Sequence, residues 1–220
     1  MAIELSSNLK GRFPDLRFST LEVKDVEIAK RSDELEKFKE TIFAEVREKY
    51  DLETLKYAST FRMHRDFFWK IGIDPTKNRP ASEALIRRIL AGKHIPNINT
   101  LVDTYNLASV KSEVALAAFD EEKLEGELTM RFAIKDESLL GIGMEKPMNL
   151  KGGEVVVSDS KRLIALYPYR DAEYSKVTET TKNVLVVVCG VPGITSEILN
   201  HSKQVTKQYI IRFCRGNIIS

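Results

Sequence analysis

The hydrophobic pattern changes from helical to alternating after Asp120, and that change constrains the fold more than any other feature. Before it, apolar residues recur mainly three and four apart, as on a helix with one buried face; after it they alternate or run together, as in strands. Leu128, Met130, Phe132 and Ile134 share one face of a strand, and "GEVVVSDSKRLIALYPY" reads as two strands around an Asp-Ser turn. "NVLVVVCG" reads as a strand buried on both faces. A last helix closes the chain, with Thr195 or Ser196 as its cap and Ile198, Leu199, Val205, Tyr209 and Phe213 turned inward. With a further strand expected within residues 12 to 28, the order is strand, helices, many strands, helix. That order argues against a βαβ repeat and predicts one α+β domain over residues 1 to 220, with mostly antiparallel or mixed sheets packed against helices.

The helical half carries its own start and stop signals. Ser32 can cap a helix whose first turn holds Asp33 and Glu34 and whose apolar stripe is Leu35, Phe38, Ile42, Phe43, Val46 and Tyr50. Pro80 tolerates a helix start and Gly92 a helix end around "ASEALIRRILA". The preceding "TFRMHRDFFWKIGIDPTKNRP" mixes basic and aromatic residues. It reads either as a stacking surface for nucleic acid or as core anchors, Phe67, Phe68 and Trp69, beside a solvated basic face. A helix-turn-helix is disfavoured: "GKHIPN" is long for the turn, and Asp103 and Glu113 would repel a phosphate backbone.

Residues 94 to 120, read as a helix from about Ile98, hold an unusual polar stripe. Asn99, Asp103 and Asn106 lie on one side, next to Ile98, Leu101, Val102 and Tyr105. Asn and Asp compete with the helical backbone for hydrogen bonds, so such a run needs a structural or functional partner.

Composition narrows the function classes. With 30% charged and 43% hydrophobic residues the chain is globular rather than disordered, and 34 Lys and Arg against 32 Asp and Glu give only +2, no global signature for nucleic acid. A local basic patch remains compatible with that balance, and Arg62, Arg65, Lys70, Arg87, Arg88 and Lys93 are its candidates. Cys189 and Cys214 lack paired Cys/His spacing, so neither a zinc site nor a disulfide framework is expected. No apolar run approaches the roughly 18 residues of a membrane span, and a cytoplasmic protein is the expectation. P-loop, GxSxG and HExxH motifs are all missing, "GIGMEKP" lacks the context of a dinucleotide loop, and no metal or cofactor is expected.

"NINTLVDTYNLASVKSEVALAAFD" resembles the segment of the phenylalanyl-tRNA synthetase beta subunit that runs Asn-x-x-Val-Asp-x-x-Asn and then His-Ala-Phe-Asp. The matching residues are Asn99, Val102, Asp103, Asn106, Ala118, Phe119 and Asp120. Downstream, "DAEYSKVTETTKNVLVVV" is similar to that family's Gly-Glu-x-Ser-x-Val and Thr-x-Asn-Val-Leu, through Glu173, Ser175, Val177, Thr181 and Asn183. The likeness covers about residues 79 to 195 and leaves a strand-helix extension before it. It implies a free-standing relative of the editing domain, which removes tyrosine from wrongly charged phenylalanine tRNA, without a synthetase catalytic domain. The resemblance also implies a pocket formed by Glu173, Phe119, Ala117 and Tyr169, with Asn99, Asp103, Asn106 and Asp120 as its scaffold; Arg170 reads either as a substrate-binding residue that steers a terminal phosphate or carboxyl group or as an exposed loop residue. Glu173 is expected to face the ligand with a raised pKa. The family histidine that helps recognise the tyrosine hydroxyl falls at Ala117, which has no donor or acceptor. Two functions stand open: a trans-acting aminoacyl-tRNA deacylase acting on tRNA or an aminoacyl ester, and a non-catalytic module binding an amino-acid-like ligand or an RNA end.

Overall fold

Side-chain caps begin three helices in the computed structural model, which describes residues 1–219: Ser32 and Thr195 as the sequence announces, and Asn99, which the sequence places inside its helix. In chain order, β1 (Ile3–Leu5), α1 (Ser7–Arg12) and β2 (Ser19–Lys24) lead into α2 (Asp33–Lys49), α3 (Ser59–Lys70), α4 (Ala81–Leu90) and α5 (Thr100–Ser112). Next come β3 (Ala115–Asp120), β4 (Leu128–Phe132), β5 (Ser138–Leu139), β6 (Met148–Asn149), β7 (Val155–Ser158), β8 (Leu163–Leu166), β9 (Arg170–Asp171) and β10 (Val184–Cys189). The last elements are α6 (Ser196–Cys214) and β11 (Asn217–Ile218). Ser32 accepts from the Leu35 N–H at 3.4 Å, Asn99 from Val102 at 2.9 Å and Thr195 from Ile198 at 3.3 Å, so each satisfies an N–H that its helix leaves free.

Five strands form one sheet in the order β1-β4-β7-β8-β9, and four form a second in the order β11-β2-β10-β3. Only β1 with β4 is parallel in these two sheets, as expected for an α+β fold with mixed strands. β10 occupies the interior of the second sheet and explains the unbroken apolar run of its sequence. Leu185, Val187 and Cys189 join a core shared with Ala117 and Phe119 of β3 and with β7 and β8, whereas Val184 and Val186 join a second core with Leu21, Val23 and Ile210. A third core, under α2, gathers Ile42, Phe43, Phe61, Ile86 and Leu107.

Four sequence expectations are corrected by the structure. The helix read through 120 ends at Ser112; Glu113 takes a left-handed φ of 65° and Ala115–Asp120 becomes a strand. Ala and Leu favour helix in isolation, but all six of these residues are buried and pair in register with β10, and tertiary pairing overrides so weak a preference. The strand expected within 12 to 28 is confined to Ser19–Lys24, because Phe13 and Leu16 enter the core from irregular chain. Of the three aromatic anchors in α3, Phe67 and Phe68 are buried while Trp69 remains 57% exposed, and Ile134 lies beyond the end of β4, exposed.

Candidate functional site

A cavity of about 140 Å³ opens where the two sheets approach each other beneath α5. β3 contributes Leu116, Ala117 and Phe119, and β10 adds Val187 and Cys189; across from them stand Val157 of β7 and Ala165 and Leu166 of β8. These surfaces are apolar because both strands alternate over a shared core. Pro168, Tyr169, Arg170 and Asp171 come from the turn into β9 and from β9 itself, Tyr105 and Asn106 from α5, and Ala81 from the start of α4. The volume matches cavities of about 150 Å³ that accept a benzene-sized molecule.

Arg170 is held in place by protein contacts. Its guanidinium donates to the Ile142 carbonyl at 3.2 Å and to the Tyr169 hydroxyl at 3.4 Å, and lies 5.1 Å from the centre of the Tyr169 ring. Gly141 makes room for it, since a Cβ there would stand 2.3 Å from Arg170 Cδ. Tyr169 in turn donates to Asn78 Oδ1 at 2.7 Å, which ties this wall to the loop before α4.

Tyr105, Asn106 and Asp171 differ from these. Their side chains have no hydrogen-bond partner among the described residues, although all three line the cavity. Burial pushes the Asp171 carboxyl up from its ordinary 3.8 to about 7, against the opposing pull of the Arg170 charge. Burial likewise raises the Tyr105 hydroxyl, with the charges of Asp171 and Asp103 adding to it. Cys189 is also raised, by burial first and then by Asp171.

The residues expected at a site thus separate into groups. Ala117, Phe119, Tyr169 and Arg170 line the cavity. Glu173 does not: it forms an ion pair with Lys176, accepts from the Gly143 N–H at 3.3 Å, and its pKa is lowered, chiefly by Lys176. This corrects the expected ligand-facing, raised carboxylate. The residue lies two positions past Asp171 in a chain that turns outward, and Lys176 captures it within its own loop.

Asn99, Asp103 and Asp120 stand apart from the cavity and are engaged by protein. Asn99 caps α5. Asp103 pairs with buried Lys39 at 2.8 Å and accepts from the Ile98 N–H at 3.0 Å, while Asp120 accepts from the Thr181 hydroxyl at 2.7 Å and the Glu122 N–H at 3.2 Å. Asn106, grouped with them by spacing, turns to the cavity instead. Asp171 and Tyr105 escaped the sequence reading as site residues. A lone Asp in "YRDAE" and one aromatic on an apolar helix face carry no motif; an Asp closely following apolar "LIALYPY" was the available signal.

Beside the cavity runs a basic groove lined by Lys77, Arg79, Arg87, Arg88 and Lys93, with no acidic residue in its wall. It gathers three of the six basic residues expected to form a patch. Arg65 is drawn inward instead, to Glu83 at 2.7 Å, and Arg62 and Lys70 lie exposed on α3 outside the groove. Residues 77 to 81 connect the two features, since Lys77 and Arg79 line the groove and Ala81 the cavity. Among the described residues no cluster of His, Cys, Asp and Glu is arranged to hold a metal, and no helix is long and apolar enough to cross a membrane.

Comparison with known proteins places this arrangement. The chain is 34% identical over 109 residues to the phenylalanine–tRNA ligase beta subunit of Photorhabdus laumondii, covering 49% of this chain and 14% of that subunit. It is 25% identical over 143 residues to the same subunit of Mycoplasma genitalium, covering 65% of this chain and 16% of that one. The chain therefore spans about a sixth or less of the length of these relatives. Its fold is similar to an N-terminal fragment of the phenylalanyl-tRNA synthetase beta subunit from Pyrococcus horikoshii, with a TM-score of 0.51 at 15% identity, over 99% of this chain and 50% of the fragment. Residues 63–217, which hold the cavity, the groove and both strands of the cavity floor, match the B3/4 domain, and the chain belongs to the B3/4 domain family.

Proposed function

We propose that this protein binds the aminoacylated end of a tRNA and hydrolyses its ester. The observation that carries the reading is the junction at residues 77–81 of a small, apolar-floored cavity with a basic groove. The cavity has room for an aliphatic amino-acid side chain, and the groove offers cations to the phosphates that precede it. Relatedness to a tRNA ligase subunit supports the same partner.

In the reaction, water attacks the ester carbonyl carbon, the bond from that carbon to the ribose oxygen breaks, and the free amino acid and the RNA hydroxyl leave. No covalent nucleophile is required; holding the ester beside an ordered water in a dry, shaped cavity supplies much of the rate. Arg170, fixed by Tyr169 and Ile142, stands at the wall where the carbonyl would lie. Ala117 and Phe119 shape the floor, and an Ala in place of a hydrogen-bonding residue suits an apolar side chain better than a tyrosine hydroxyl.

The test is release of free amino acid from a panel of mischarged tRNAs. Deacylation of tRNAs carrying small aliphatic amino acids is expected, together with a steep loss of tRNA affinity as salt rises and in the Arg79→Glu/Lys93→Glu double variant. The engagement of Glu173 by Lys176 favours a second reading, a binding module without hydrolysis. It predicts salt-dependent binding and no ester release in the same assay. Absence of both, at low salt, would overturn the two readings together.

A further inference from the structure

The polar corner of the cavity carries information about its ligand. Folded proteins rarely leave buried polar groups without partners, and three fully buried carboxylates of this chain illustrate the rule: Asp103 pairs with Lys39, Glu83 with Arg65 and Arg87, Asp120 with Thr181. Asp171, Tyr105 and Asn106, half-buried and all lining the same cavity, have no side-chain hydrogen-bond partner among the described residues, and each carries an oxygen able to accept. Arg170 donates to Ile142 and Tyr169 rather than to Asp171, and its charge only partly offsets the burial of that carboxyl.

We propose that this corner is a recognition site for a primary ammonium group, with the Asp171 carboxylate, the Asn106 carbonyl oxygen and the Tyr105 hydroxyl oxygen taking its three N–H donors. Three acceptors match three donors, and a charge-assisted bond to Asp171 would be the strongest of them. The apolar floor of Ala117, Phe119 and Val187 then takes the carbon skeleton attached to the amine. The inference rests on the aminoacyl reading above and deepens it: the ligand enters with its amino group free. An α-ammonium or a side-chain ammonium would satisfy the same chemistry.

The titratable and charged groups that face Asp171 are Arg170 on β9, Tyr105 on α5 and Cys189 on β10. Burial keeps the carboxyl protonated up to about pH 7, and only its ionised form attracts an ammonium. Binding of an α-ammonium with a pKa of about 7.8 should therefore tighten as pH rises, by roughly five- to sixfold between pH 6 and 7.5, the gain in carboxylate less the loss of ammonium.

The experiment titrates the intact protein with L-valinamide, N-acetyl-L-valinamide and Nα-acetyl-L-lysinamide, monitoring the backbone amide resonances of Ala117 and Val187 by NMR. Saturable shifts with L-valinamide, none with its acetylated form, and at least a tenfold loss of affinity in Asp171→Asn are expected. Binding of Nα-acetyl-L-lysinamide instead would assign the site to a side-chain ammonium. Equal binding of N-acetyl-L-valinamide, no binding of any probe, or Asp171→Asn within twofold of the unchanged protein would overturn the proposal. Should Asp171→Asn fail to fold, Asn106→Ala serves in its place, with a severalfold loss expected and no loss overturning the assignment. Deacylation of N-acetylated as well as free aminoacyl-tRNA would remove the ammonium site and leave the hydrolase; ammonium binding without deacylation would do the reverse.

Discussion

Glu83, fully buried, and Asp171, half-buried in a cavity wall, are carboxylates of the same domain that have been treated in opposite ways. Glu83, with no exposed surface, receives Arg65 at 2.7 Å and Arg87 at 2.7 Å, and these cations outweigh the burial that would raise its pKa and leave it lowered. Asp171 receives nothing, and burial carries it to about 7. The first joins α3 to α4 and is complete without any ligand. The second is complete only when something else supplies donors. A buried charge that is fully paired marks scaffold; one that is not marks a place where the protein has left part of its hydrogen bonding to a partner.

The comparison can be broken first at Glu83. Glu83→Ala would leave two half-buried guanidinium groups without their common anion, and a loss of about 3–5 kcal/mol is expected in urea unfolding. A loss below about 1 kcal/mol would show that water replaces the carboxylate and that the pairing is not scaffold.

Asp171→Asn should move stability the other way, and only at higher pH. The folded chain retains a proton on Asp171 that the unfolded chain releases, so stability falls as pH rises from about 4 to about 7 and then levels. Replacement by Asn removes that penalty. Thermal melts should show a gain of roughly 2–4 kcal/mol at pH 8, shrinking towards zero at pH 4. A gain that does not vary with pH would place the carboxylate in water rather than in the cavity wall.

The smallest effect is expected at Glu173. Glu173→Ala removes an exposed ion pair with Lys176, and such pairs contribute little. Its melting temperature and its affinity for L-valinamide should match those of the unchanged protein; a loss of affinity would bring Glu173 back to the ligand.

Much of the scaffold was legible in the chain because its signals are local. Ser32 and Thr195 lie beside the N–H groups they satisfy, and the period change that separates helices from strands is carried by near neighbours in sequence. The continuous apolar run of β10 announced burial on both faces, and two cores cover it. Ala115–Asp120 reads wrongly as helix because its helical preference is also local, while its pairing with β10 reaches across more than sixty residues.

The candidate site was legible only in part for the same reason. Motif likeness located Ala117 and Phe119, and the reading built on it added Tyr169 and Arg170, all on the cavity; it also pointed to Glu173, which Lys176 turns aside. Spacing along α5 grouped Asn106 with Asn99 and Asp103, yet a helical offset does not say which side chain meets Lys39 and which meets a cavity. What the sequence by itself determined, then, was the order of its main helices and strands, two of their caps and the faces most of them would bury, since these arise from backbone geometry and from apolar period. Which polar groups would be paired and which left open was decided by tertiary structure alone, because a partner is a matter of distance in space. Asp171 meets Tyr105 and Asn106 only when β9 and α5 close over the same cavity.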